Sequence, residues 1–250
     1  MKRPNTILVL LSTAFALSSC QNKAADSTAD NKNPNSRTVI TVNSAPTDSS
    51  DPLNSARLHM TKGNGVDQNY DEAVRLLNLA AEQGNPDAMW ELGLLYENGN
   101  HVEKDIEKAF QLYKSSADTD NAIGYYLLAH CYQHGISVEE DLNLSNEIYK
   151  KSFNMLTELA KDSDRIVLNF LGSAYFWGDG VEQDQAKGFE CYLASAKRGN
   201  PETQYKVGWS YEKGIGIDAD IDKAIEWYKK SAEQGYADAI NRLESILPKE

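Results

Sequence analysis

Three cysteines in 250 residues are too few for a fold stapled by disulfides. No apolar run reaches the about 20 residues that a membrane-spanning helix needs. Positive charge is scarce too. There are 25 Lys and Arg against 37 Asp and Glu, a net of −12 at pH 7. So acidic a chain does not bind nucleic acid through phosphate contacts, and it is repelled by an anionic membrane surface. A partner that uses electrostatics has to be basic, or else offer an apolar site for an anchoring side chain.

What the chain does have is repetition. Residues 88–98 carry Ala88, Leu92 and Tyr96 on one helical face, and Gly99 follows where a left-handed cap suits glycine. Asp105 then offers an N-cap to a second run with Ala109, Leu112, Tyr113, Ser116 and Ala117 on its face. Two short amphipathic helices joined by a tight turn form an αα-hairpin, which cannot bury its apolar surface alone. The pattern recurs five times. Met60, Tyr96, Tyr132, Tyr175 and Tyr211 anchor the copies, at spacings of 36, 36, 43 and 36. Three residues after each anchor stands Gly63, Gly99, Gly135, Gly178 or Gly214. Nine after it stands Asn69, Asp105, Asp141, Asp184 or Asp220. The second helices repeat small-large-small as Ala73-Leu77-Ala81, Ala109-Tyr113-Ala117, Gly188-Tyr192-Ala196 and Ala224-Tyr228-Ala232, with Ser145-Tyr149-Phe153 the loosest copy.

These residues resemble the Sel-one-like repeat family, short relatives of the tetratricopeptide repeats. The best copies are Leu92-Gly93, Tyr96 and Gly99 with Lys108-Ala109, and Gly208, Tyr211 and Gly214 with Lys223-Ala224 and Trp227-Tyr228. The resemblance covers residues from about 52 to 247. It implies an all-α fold, an α-solenoid (α/α superhelix) of five helix-turn-helix repeats plus a C-terminal capping helix at 237–247. It also implies a protein-binding role, and no chemistry by itself.

Three segments follow. In 1–19, Lys2 and Arg3 precede the uncharged run Thr6 to Leu17, which has the length of a secretory signal core. Leu17-Ser18-Ser19-Cys20 resembles a bacterial lipoprotein signal, which implies cleavage before Cys20 and lipidation of its thiol. An ordinary signal peptide followed by an incidental cysteine is the alternative. Gln21, rather than aspartate, implies passage to the outer membrane, with the protein facing the periplasm and attached to the membrane through the Cys20 lipid only. Losing Lys2 and Arg3 leaves 23 basic residues against 37 acidic, a net of −14. Residues 20–50 are polar and small apart from Val39, Ile40 and Val42, which suits a disordered tether or, over TVITV, a strand added to a partner. Residues 51–250 form the repeat domain, opening at Ser50-Asp51-Pro52.

The spacing of 43 places seven extra residues after Tyr149. They extend the second helix of hairpin three by about two turns or lengthen the loop near Lys161-Asp162-Ser163-Asp164; Phe153, Leu156, Leu159 and Ala160 keep the helical period and favour the helix. Cys131 and Cys191 fall on helices that are not nearest neighbours, so two free thiols are expected rather than a bridge.

No residues converge for catalysis. His130 and His134 lie four apart, but the glutamate of a zinc-protease helix is absent and no third ligand is assignable. Asp218, Asp220 and Asp222 begin like a calcium loop, yet Lys223 stands where its glycine belongs. Ser210-Tyr211-Glu212-Lys213 matches S-x-x-K without its companion motifs. No cofactor or metal is expected. What remains is surface. First helices of a solenoid line one face, and there the pattern places Trp90, Tyr126, His130, Phe170, Phe176, Trp177, Tyr205 and Trp209 as candidate partner-binding residues, with core packing as the competing role for each.

The expected function is a non-catalytic scaffold on a lipid anchor. Its narrow form, implied by the resemblance, is an immunity protein that sequesters a secreted antibacterial lipase effector; the alternative is an enzyme of β-lactam or cell-wall metabolism. Replacing Cys20 with serine should release the protein from the membrane fraction. Continued sedimentation of Cys20→Ser with outer membrane would contradict the anchor.

Overall fold

The computed structural model describes residues 51–60, 67–162 and 164–247. The signal, Cys20, the tether and Gly63 lie outside them. Among the described residues are eleven α-helices and no strand. Hairpin one pairs α1 (Pro52–Met60) with α2 (Tyr70–Glu82), and hairpin two pairs α3 (Pro86–Asn98) with α4 (Ile106–Asp118). Hairpin three is α5 (Ala122–His134) with α6 (Leu142–Leu159), and hairpin four is α7 (Arg165–Trp177) with α8 (Gln185–Lys197). Hairpin five joins α9 (Pro201–Lys213) to α10 (Ile221–Glu233), and α11 (Ala237–Ile246) packs on α10. Each helix touches its neighbours in the chain, which makes the molecule an all-α solenoid.

Local rules set the helix ends. Gly99, Gly135, Gly178 and Gly214 close the first helices at φ between 64° and 79°, each donating its N–H back into the last turn. Asn69, Asp105, Asp141, Asp184 and Asp220 then accept from the third N–H of the following helix at 2.9–3.1 Å. Each cap's own N–H reaches back across the turn. Four of them donate to the carbonyls of Tyr96, Tyr132, Tyr175 and Tyr211. In hairpin one the acceptor is His59, one residue before the Met60 that a spacing of 36 selects.

Three contacts recur inside and between hairpins. Ser116, Ser152, Ser195 and Ser231 are fully buried in the second helices. Each hydroxyl donates to the carbonyl of the residue opening its own first helix: Pro86, Ala122, Arg165 and Pro201, at 2.6–2.9 Å. Such a bond is worth about 1 kcal/mol net, and a buried hydroxyl without one costs more. Tyr113, Tyr192 and Tyr228 lie over Gly93, Gly172 and Gly208, so close that an added Cβ would sit 2.5–2.7 Å from the ring. Finally, a phenylalanine of one hairpin meets the anchor tyrosine of the next at 5.2–6.2 Å, edge to face: Phe110 with Tyr132, Phe153 with Tyr175, Phe189 with Tyr211.

The last contact explains the irregular spacing. Each of these pairs is 22 residues apart, whereas the residue of hairpin three that corresponds to Phe110 by a spacing of 36 is Asn146. The seven extra residues extend α6 to 18 residues against 13 in the other second helices and add a 3₁₀ turn at Ala160–Asp162. Ser152 keeps the register inside hairpin three, and Phe153 takes the contact to hairpin four. Phe153 is thus not a loose copy of the small residue; it is the contact for the next hairpin.

Hairpin four is displaced accordingly. His101, in the turn of hairpin two, stacks on Tyr70, the first residue of α2, at 3.6 Å. Gly216, in the turn of hairpin five, sits against the carbonyl of Gln185, the first residue of α8. Gly180, in the turn of hairpin four, instead sits against Tyr149 and Lys150, seven residues beyond the start of α6. The tip of hairpin four is recessed by about 10 Å at 1.5 Å per residue.

Cys131 and Cys191 are free thiols, the first buried and the second partly so. Burial pushes Cys191 up to about 11 and Cys131 higher still.

Gly93→Ala tests the packing of tyrosine on glycine. Alanine gains about 1 kcal/mol of helix propensity, but overpacking against Tyr113 costs about 1–3 kcal/mol. The variant should be less stable in urea denaturation, and Gly93→Ala should cost less when measured in a Tyr113→Leu background. A stabilised Gly93→Ala would contradict the packing.

Candidate functional site

The first helices converge on the inside of the coil. Trp90 of α3 meets Phe170 of α7 edge to face at 5.9 Å, passing over hairpin three. Tyr126 of α5 packs on Phe170 at 5.3 Å and on Tyr149 at 5.1 Å. Their polar atoms are satisfied there. Trp90 Nε1 donates to Asp87 at 3.1 Å, and the Tyr126 hydroxyl donates to buried Asp179 at 2.7 Å.

This corrects the expected groove. Trp90, Tyr126, His130, Phe170 and Phe176 are each no more than 4% exposed and offer no side-chain surface to a partner. The periodicity gives the direction of these side chains correctly, but a coil tight enough for α3 to touch α7 turns an inner face into interior. His130 lies beside His134, ring centroids 4.5 Å apart, and burial with that neighbour pushes it down to about 3. It is a neutral core imidazole at ordinary pH.

Trp177, Tyr205 and Trp209 are different: each keeps part of its surface exposed. Trp177 and Trp209 pack on Phe176 from two sides, at 5.0 and 6.0 Å, which joins them into one strip across hairpins four and five. Phe176 is the reason the strip exists. It stands where Glu97, Gln133 and Glu212 accept a hydrogen bond from the tyrosine of the second helix; Tyr192 donates instead to Ser173 at 3.0 Å. Tyr205 packs between Tyr228 and Tyr236, 5.4 and 5.5 Å away.

Charged pairs hold the ends of the array to this middle. Arg57 of α1 donates from Nε at 2.8 Å, and again from its terminal nitrogen, to the same oxygen of buried Glu91 in α3. Burial raises Glu91 above the usual carboxylate range in spite of Arg57. Removing one partner of such a pair costs about 3–5 kcal/mol, because the other is left charged and unpaired. At the far end Glu212 accepts from Arg242 of α11 and from Tyr228, and is paired with Lys213 at 2.6 Å. Burial acts to raise Glu212, but these partners outweigh it and hold the carboxyl down at about 2. In the middle, the Lys206 ammonium lies 2.6 Å from Glu202 and 2.8 Å from Asn169. The sequence reading passed over Glu91 and Lys206. Their signal was present, since they share with Leu127 and Phe170 the position five before the anchor, where a charge is out of pattern.

Among the described residues, no group of three or more His, Cys, Asp or Glu side chains could hold a metal ion. In the S-x-x-K match, Ser210 is fully buried and its hydroxyl has no hydrogen-bond partner, while Lys213 is paired with Glu212. Among the described residues, Ser210 Oγ thus has no base within hydrogen-bond reach.

The Sel1 repeat family model matches residues 56–85, 86–121, 122–155, 167–200 and 201–236. The chain is a Sel1 repeat protein. Three of the matches begin on the opening residues of α3, α5 and α9, and the unmatched stretch 156–166 holds the end of α6 and the turn that follows it. No curated protein matches the chain. Solved structures do. A Sel1 repeat protein from Oxalobacter formigenes is 29% identical over 78% of this chain and 74% of its own, with a TM-score of 0.47. The protective antigen c5321 of uropathogenic Escherichia coli, which displays the same repeat fold, is 30% identical over 78% of this chain but 40% of its own, with a TM-score of 0.40. The immunity protein PA5088 from Pseudomonas aeruginosa is 21% identical over 82% of this chain and 73% of its own, with a TM-score of 0.46. Sel1 repeats form a protein-binding scaffold, and this chain has that architecture.

Proposed function

We propose that this Sel1 repeat protein is a non-catalytic binding scaffold, held at a bacterial envelope through a lipid on Cys20, that grips a protein partner with the aromatic strip of hairpins four and five. One observation carries the reading: of the eight residues expected on the binding face, Trp177, Tyr205 and Trp209 alone keep exposed surface, and two of them form one patch on Phe176. Large aromatics with a buried footing suit an interface, because little side-chain freedom is lost when they are covered.

The specific form of binding put to test is sequestration of a secreted effector, an antibacterial lipase, as an immunity protein does. The tether expected over residues 20–50 belongs to the same proposal, since a captor must meet its target where the target acts. A net charge of −12 favours a basic partner and slows association as salt rises.

Trp209→Ala is the direct test. Truncating an aromatic anchor at the centre of an interface costs about 2 kcal/mol, roughly 30-fold in affinity. In a pull-down from solubilised envelope, the variant should lose the partner that the unaltered chain retains, with the helical circular dichroism unchanged. A folded variant that retains the partner puts the binding face elsewhere. An unfolded one makes Trp209 a core residue, and Trp177→Ala then decides the strip.

A further inference from the structure

The recess of hairpin four leaves part of hairpin three without a neighbour. In the pairs that stand level, the turn of the later hairpin seats on the opening residue of the preceding second helix, as His101 does on Tyr70 and Gly216 on Gln185. The corresponding seat in hairpin three is Leu142. Among the described residues no turn takes that seat, because Gly180 seats at Tyr149 and Lys150. Asp179 gives an independent measure of the same step: it meets Tyr126, eight residues before the end of α5. Leu142 is 59% exposed, more than any other large apolar side chain among the described residues. Asn146 is exposed as well, at the position where Phe110 and Phe189 pack on the next tyrosine. The first two turns of α6 are thus a helix face with its neighbour withdrawn.

Charge says what can cover it. Residues 135–149 hold Glu139, Glu140, Asp141 and Glu147 and no Lys or Arg. Asp141 is engaged as the cap of α6, while Glu139, Glu140 and Glu147, within five residues of Leu142 along the chain, are exposed. An acidic segment, a nucleic acid or an anionic membrane is repelled here. We infer that this shelf is a docking surface for a protein segment that carries a large apolar side chain flanked by Lys or Arg: the apolar group covers Leu142 and the cations meet the surrounding carboxylates. The inference rests on the reading of the chain as a binding scaffold. It adds a second contact on the edge formed by the hairpin turns, apart from Trp177 and Trp209.

The probe is a synthetic peptide, Gly-Lys-Lys-Leu-Lys-Lys-Gly, titrated into the isotope-labelled full chain and followed by amide chemical shifts. Shifts should concentrate at residues 139–148. Leu142→Asp, or Glu139→Lys with Glu140→Lys, should weaken binding about tenfold, and so should replacing the peptide's leucine by serine. Asp218→Lys with Asp222→Lys makes the same charge change at the tip of hairpin five and should alter binding less than about twofold. Equal weakening by that control would reduce the effect to general attraction and overturn the shelf. Shifts confined to Trp177 and Trp209 would overturn it too, while leaving the scaffold reading intact. If deleting residues 21–50 itself moves the shelf amides, the occupant is this chain's own segment, and an external partner is ruled out as the occupant.

Discussion

An αα-hairpin of two 13-residue helices has more apolar face than it can hide between its own members, and every other feature of this structure follows from how that surplus is covered. Within a hairpin, tyrosine over glycine and serine on a carbonyl bring the two helices close. At the three junctions after hairpin one, a phenylalanine on the anchor tyrosine of the next copy covers what is left. The spacing of 22 residues between those two rings survives even where the repeat length does not. When seven residues enter α6, the chain keeps the ring contact and moves the whole of hairpin four instead. Packing against the neighbour is therefore the constraint, and levelness of the hairpin tips is the quantity that gives way.

That ordering explains what the sequence disclosed. The caps and left-handed glycines were legible because their demands are local: Asp105 needs only the N–H groups three residues on, and Gly99 only its own φ. The helical extension was legible because Leu156 and Leu159 kept the period. Depth was not. Trp90, Tyr126 and Phe170 point where the periodicity says they point, but whether that direction ends in solvent depends on the curvature of the coil, which is set by contacts between hairpins two apart. Phe153 was misread for a related reason, since a comparison within one repeat cannot show a role that belongs to the next. Trp177 and Trp209 keep part of their surface exposed, and Phe176, which replaces a polar acceptor, packs on both rings.

Charge has two distinct uses here. Arg57 with Glu91, and Arg242 with Glu212, tie α1 and α11 to the array; Glu91 is fully buried and its cost in desolvation is offset by directed hydrogen bonds, whereas Arg242 stays partly exposed. The carboxylates of the turns, buried Asp179 apart, are the opposite case: they cap helices or face water. Stacking the hairpins sets those turns along one edge, so local helix chemistry yields an acidic edge as a by-product. The displacement after hairpin three breaks that edge and exposes Leu142 among its carboxylates.

The displacement is the central structural claim, and a pair of spin-label distances tests it most directly. Labels would be placed at Glu182→Cys with either Lys150→Cys or Asn143→Cys, all exposed positions, in a chain lacking Cys20 and Cys191. Residues 143 and 150 share a face of α6 about 10 Å apart along the axis. A recessed hairpin four puts the 150–182 distance below the 143–182 distance. The reverse order, with 143 nearer to 182, would mean that the hairpins stand level and would contradict the account.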